Sequence, residues 1–249
     1  MTTPPAPVRG FGRAASDLDV AFGPRPADET ATALLARCVA CDEGVVRDWT
    51  LARRLQALLA VRLVDDPDAR APAVVRCGAC CDGFELEIDL ARCVLPVDES
   101  PLAWASPEGH ALVLRLPRAR DLEAWRATGR RGETEMAAAL VDTIDGQPPA
   151  PAFEMPTAWT EALADMLAER DPFTALQVDA PCPDCGHVNP AEVDLEALLL
   201  ADFAACQRRL LEEVTLLARN FHWSEAQILD LPAWRRAHYI ARLDAMGAA

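Results

Sequence analysis

The sequence predicts an α+β, mainly helical fold built from two tandem helix–knuckle–strand–helix repeats related by pseudo-twofold symmetry. Three observations predict it. Apolar residues recur at helical spacing over much of the chain. Two C-x-x-C pairs, Cys77/Cys80 and Cys182/Cys185, sit in matching surroundings. The matches also share one ungapped offset: 171 minus 66 (Asp-Pro), 182 minus 77 (the first Cys) and 194 minus 89 (Asp-Leu) are all 105. With 249 residues, 51% of them hydrophobic and 25% charged, the chain can bury a core as one domain or two small ones.

Taken in order, residues 1–28 are rich in Pro and lack periodicity, which predicts a flexible N-terminal arm, either mobile or ordered on a partner. Residues 29–128 form the first repeat and 129–249 the second, together one globule. Residues 29–40 and 47–64 read as helices, the second with Leu51, Leu55, Leu58 and Leu59 on one face and Asp66-Pro67 as its stop. Residues 83–88 alternate apolar and acidic side chains, as a half-exposed strand does. A second strand is expected over 110–116, a helix over 119–127 and a turn over 129–133. Residues 138–146 are set opposite 33–44 as the short opening helix of the second repeat.

A Pro-rich linker at 146–156 leads to a helix at 157–170, the second knuckle and a strand at Val193. Asp194 then caps a long helix. Within it Leu210, Val214, Leu217 and Phe221 form a buried stripe, and Arg208–Glu212 and Arg209–Glu213 pair toward solvent. Residues 220–223 break that helix. Ser224 and Gln227 form a capping box, and Pro232 opens a last helix.

Nine cysteines, an odd count, with no apolar signal core at the N-terminus, argue against a disulfide framework. The pairs read as metal ligands instead. Two residues between thiols let both sulfurs reach one ion at about 2.3 Å, and two such pairs complete a tetrahedron. The segment Cys182-Pro-Asp-Cys185-Gly-His is the usual knuckle of a zinc ribbon, with Gly186 allowing the tight turn. Each repeat supplies half a site, so one structural Zn2+ held by Cys77, Cys80, Cys182 and Cys185 is the economical solution. The local alternative joins Cys38 and Cys41 to Cys77 and Cys80. Cys81, Cys93 and Cys206 lack partner spacing and read as core thiols.

Several function classes are excluded by what is missing. All 24 basic residues are Arg, which removes lysine-nucleophile and Schiff-base chemistry. No phosphate-binding glycine loop occurs, and the four His form neither HExxH nor HxH. GxSxG is absent too. A net charge of −15 opposes phosphate backbones, so no nucleic acid is expected as a partner. No run of 18 apolar residues exists to cross a membrane. The expectation is a protein that is not an enzyme, with no catalytic residues, no small-molecule substrate and no membrane.

The stretch 210–243, LLEEVTLLARNFHWSEAQILDLPAWRRAHYIARL, is the most specific in the chain. Its Leu-Leu-x-Glu-Val, Leu-Ala, His-Trp-Ser-Glu-x-x-Ile-Leu-x-Leu and Arg-Arg-x-x-Tyr resemble the C-terminus of a baseplate protein family. That family occurs in contractile phage tails of the T-even type and in phage-tail-like contractile injection systems. The CPDCG knuckle, the Val-Asp-Leu after it and Leu-Arg-Leu-Pro…Asp-Leu near 114–122 carry the resemblance upstream, to cover roughly 29–245. It implies a structural or assembly role among other baseplate or tail proteins, in a particle assembled in the bacterial cytoplasm. The Cys38/Cys41 pair departs from the family pattern. Within the tail, Trp223, Trp234, Arg235, Arg236, Tyr239 and Arg242 are candidates for partner docking, because aromatic and Arg side chains dominate protein–protein hot spots. The competing expectations are a zinc-ribbon interaction module of an unrelated cytosolic process, and a metal-dependent or thiol enzyme.

Overall fold

The computed structural model describes residues 8–247 apart from 24, 130, 131, 152, 171 and 173–175. Of the expected motifs, Asp171, part of the 129–133 turn and the first seven residues of the arm lie outside the described residues. The fold is α+β, with helices and small antiparallel sheets.

Residues 8–23 correct the expectation of a mobile arm. Phe11 and Val20 are buried in the main core. Between them a 3-10 turn, Ala15–Asp19, carries Asp17 at 0% exposure. Asp17 accepts two 2.6 Å bonds from Arg9 and N–H groups from Gly12, Arg13 and Ala14. A buried carboxylate satisfied this fully fixes a segment that has no periodicity to announce it.

Next come α1 (Ala27–Cys38), α2 (Glu43–Arg47) and α3 (Leu51–Leu63). The helix expected over 47–64 is α3, which starts later because Thr50 caps it by accepting the Arg53 N–H, and the short α2 before it was not foreseen. Leu55, Leu58 and Leu59 of α3 are buried as expected, and Leu51 is half-buried. Arg54, which no apolar pattern predicts, is also fully buried; it donates to the Asp28 carbonyl at 2.8 Å and lies 3.7 Å from Glu196.

Two β-hairpins follow the same plan. β1 (Arg70–Arg76) pairs with β2 (Gly83–Asp89), and β6 (Leu176–Pro181) pairs with β7 (Val188–Val193). Arg76 faces Gly83 and Pro181 faces Val188; 181 minus 76 and 188 minus 83 are both 105. Ala71 faces Ile88 and Leu176 faces Val193, at the same offset. The sequence reading found β2 and the end of β7 but missed β1 and β6. Pro72 and short apolar runs obscured them.

Between the hairpins, β3 (Leu102–Ala105), β4 (Ala111–Leu114) and β5 (Val141–Ile144) form a three-stranded sheet. Helices α4 (Ala119–Thr128) and α5 (Glu133–Ala138) precede β5, and α6 (Thr157–Arg170) packs Trp159 and Leu163 on the sheet. The short helix expected within 138–146 is therefore wrong. Val141, Thr143 and Ile144 are β-branched, and they pair with β4.

The long α7 (Leu195–Phe221) is capped by the Asp194 side chain, as predicted. Its first half sends Leu195, Leu199 and Phe203 into the main core with α1 and α3. Its second half joins α8 (Glu225–Leu229) and α9 (Ala233–Gly247) in a tail core of Val214, Leu217 and Ile228. His222 ends α7 in the left-handed region at φ 57°, and the Ser224/Gln227 capping box is present. Both larger cores cross the boundary expected at 128/129: α7 enters the core of α1–α3, and β5 joins β3 and β4.

Candidate metal centre

Each hairpin ends in a cysteine knuckle, and the hydrogen bonds of the two turns correspond. Cys77 N–H donates to the Asp82 carbonyl at 2.9 Å, and Cys182 N–H donates to the His187 carbonyl at 2.8 Å. Cys81 N–H returns to the Cys77 carbonyl, and Gly186 N–H returns to that of Cys182. Both turns need a left-handed residue at the same point: Cys81 has φ 65° and Gly186 φ 72°. Cys81, expected as a core thiol, is exposed because it occupies this turn position. Cys93 is buried and Cys206 half-buried.

The hairpins pack against each other through Val75, Ala180 and Ala191, with Phe84, Leu86 and Val178 beside them. That packing brings together Cys77, Cys80, Cys182 and Cys185, whose sulfurs all lie within 4.8 Å of one another. The Cys77 and Cys185 sulfurs are 3.6 Å apart, and those of Cys80 and Cys182 are 3.7 Å apart. A tetrahedron of sulfurs about 2.3 Å from a central ion has edges of about 3.8 Å. A disulfide would need about 2.05 Å. The spacing therefore fits one tetrahedral ion and does not fit cystine.

The electrostatics agree. The Cys80 N–H points at the Cys77 sulfur, as does the Ala79 N–H at 3.4 Å, and together they pull the Cys77 thiol down to about 6. Asp82 N–H likewise favours the Cys80 thiolate, but burial and the neighbouring sulfurs outweigh it and push Cys80 up to about 12. Cys185 receives the His187 N–H and is still raised, chiefly by Cys77. Four thiolates at these distances repel one another unless a cation neutralises them. Cys77 and Cys182 are buried, Cys80 is half-buried and Cys185 is exposed.

A residue that the sequence reading missed ties the knuckles together. Asn189, at the start of β7, is buried; its Oδ1 accepts the Gly78 N–H at 2.8 Å, and its Nδ2 donates to the Ala180 and His187 carbonyls. The repeat comparison could have flagged it, because Asn189 stands where the first hairpin has Phe84 (189 minus 84 is 105).

The third C-x-x-C pair is not brought in. Cys38 is buried at the end of α1 in the main core, where burial pushes its thiol up to about 12, and Cys41 is half-buried just beyond. The local site of Cys38 and Cys41 with Cys77 and Cys80 is therefore not formed.

The six docking candidates divide. Trp223 and Tyr239 pack in the tail core, Trp223 stacking on Phe221. Arg236, 8% exposed, binds Glu213 and the Leu231 carbonyl. Glu213 therefore serves Arg236 and not Arg209. Trp234, Arg235 and Arg242 are exposed. Among the described residues no helix is long and apolar enough to cross a membrane. Compared with protein-family models, curated proteins and solved structures, the chain has no match.

Proposed function

We propose that this chain is a structural or assembly component of the baseplate of a contractile phage tail or phage-tail-like injection system, stabilised by one structural zinc on Cys77, Cys80, Cys182 and Cys185. The observation that carries the metal is the convergence of four thiols from two separate hairpins within 4.8 Å. An all-sulfur set suits zinc and leaves no position for a water, so the proposal assigns the ion no catalytic role. The baseplate reading is supported by the sequence of residues 210–243. Its partners are other baseplate or tail proteins, met in the bacterial cytoplasm as the particle assembles.

The same reading takes the hairpins as tandem repeats about a pseudo-twofold axis. An operation exchanging Cys77 with Cys182 and Cys80 with Cys185 turns the 3.6 Å contact into the 3.7 Å one. The common register of the hairpins supports it.

The test has two arms. Metal analysis and X-ray absorption of the purified protein should give one zinc with four sulfurs at about 2.3 Å; a metal-free protein or a nitrogen- and oxygen-rich shell would overturn the centre. Co-expression with the sheath, tube and spike proteins of a contractile tail from the same source should give a stable complex. A zinc-ribbon module of an unrelated process would keep its zinc and fail to associate.

A further inference from the structure

We propose that the outer face of α9 docks an acidic protein segment that carries apolar anchor residues. Five of the six tryptophans are buried or half-buried, whereas Trp234, in the first turn of α9, is 72% exposed. It is not a loose end. Tyr239, Ile240 and Leu243 hold the opposite side of the helix in the tail core. Trp234, His238 and Arg242 follow one another at every fourth position, so they form one exposed ridge. Arg235 flanks that ridge, donating to the Tyr239 hydroxyl at 3.2 Å with its guanidinium over the ring. Ridge and flank are thus pre-positioned, which lowers the ordering cost of binding.

Charge selects the partner. Residues 231–243 contain three Arg and no Asp or Glu, in a chain of net charge −15. Arg236 is taken up by Glu213, leaving Arg235 and Arg242 on the surface. A second copy meeting α9 with its own α9 would set these arginines against each other, so a symmetric pairing is disfavoured. A nucleic acid, charged along its whole length, would extend past the arginines onto the acidic remainder of the chain, whereas a short segment can stay on α9. An acidic polypeptide with an apolar anchor matches both the arginines and the exposed indole. The proposal does not depend on the baseplate reading or on the metal.

The test uses the full, metal-containing chain and three labelled probes. They are a Leu/Glu amphipathic peptide of about 20 residues, about 30 Å as a helix, its Leu/Gln counterpart, and an oligothymidylate. The Leu/Glu peptide should bind in a salt-sensitive manner and the other two weakly. Trp234→Ala should weaken that binding about 30-fold, and Arg235→Glu with Arg242→Glu should abolish it. Circular dichroism and zinc content should stay unchanged, since these side chains are exposed. Equal binding of both peptides, binding unaltered by the substitutions, no binding of the Leu/Glu peptide, or preference for the oligonucleotide would each overturn the proposal.

Discussion

The two cysteine hairpins share a register and a turn, yet they are anchored differently. The first runs into a four-residue 3-10 turn, Leu90–Cys93. The second runs into the 27 residues of α7, whose first half lies in the main core. The second also supplies Asn189, which holds the Gly78 N–H of the first. Where the second uses Gly186 for the left-handed turn residue, the first uses Cys81. Ligand geometry is therefore shared equally while support for it is not. Both hairpins are rooted in the main core, the first through Ala71, Ile88 and Leu90 and the second through Val193 and Leu195, while the Asn189 amide and a small apolar contact fasten their tips together.

The largest expected effect tests the equal part. If one ion is shared, Cys77→Ser and Cys182→Ser should both empty the site, because each removes a quarter of the same tetrahedron. Structural zinc contributes on the order of 10 kcal/mol to small folds, so both variants should be loosened or insoluble. Zinc content and thermal unfolding measure this. Full zinc in one variant and none in the other would mean separate sites.

The next effect tests the unequal part. Asn189→Ala leaves all four sulfurs in place but strips the Gly78 N–H of its acceptor and opens a gap beside the knuckle. Loss of such a supporting group lowers metal affinity by about 10- to 100-fold. Competition with a chromogenic chelator reads this directly. Phe84→Ala, at the matching position of the first hairpin, should reduce apolar packing and change affinity less. Equal losses from the two would remove the asymmetry.

What the sequence made legible follows from the same contrast. Ligand spacing and the 105-residue offset are local patterns, so the four sulfurs and the common frame could be read before any coordinates. The caps at Asp194 and Ser224, and the helix at 157–170, are equally local signals. Long-range contacts were hidden. Asn189 looks like any polar residue until Gly78 lies opposite it, and Arg54 looks like a solvent-facing residue until Asp28 and Glu196 enclose it. Residues 8–23 gave no periodic signal because Asp17 and Gln207 order them, Gln207 reaching the Asp17, Leu18 and Val20 carbonyls from far along the chain. The 138–146 segment shows the reverse error, a short sequence similarity that tertiary pairing overrode.

A smaller effect concerns the turn residue. Gly186 has φ 72° and open space around the position of a Cβ. Gly186→Ala therefore meets no clash and costs only backbone strain, about 1 kcal/mol. If the strain falls on the metal-bound turn, affinity should drop roughly fivefold. Cys81→Gly relieves the same strain in the first hairpin but frees the unfolded chain, so its gain should stay below about 1 kcal/mol. Chemical denaturation of the two variants should move in opposite directions. A shift of both in the same direction would show that the turns are not equivalent.

The smallest effect on the metal is expected from the cysteine pair that shares the spacing and nothing else. Cys38 closes α1, with Val39 after it donating to the Leu35 carbonyl, and its sulfur is buried among apolar side chains. No hairpin turns backbone N–H groups onto it, and burial pushes its thiol up to about 12, which keeps it protonated and a poor ligand. Cys38→Ala and Cys41→Ala should therefore leave zinc content and sulfur coordination unchanged. Cys38→Ala still removes a buried sulfur, and about 1 kcal/mol of stability should go with it. Cys41→Ala, at a half-buried position, should cost less. The decisive measurement is zinc per chain in the double variant. A drop below that of the wild type would mean that the third pair takes part in metal binding, and that spacing alone, without the hairpin, is enough to make a ligand of a cysteine in this chain.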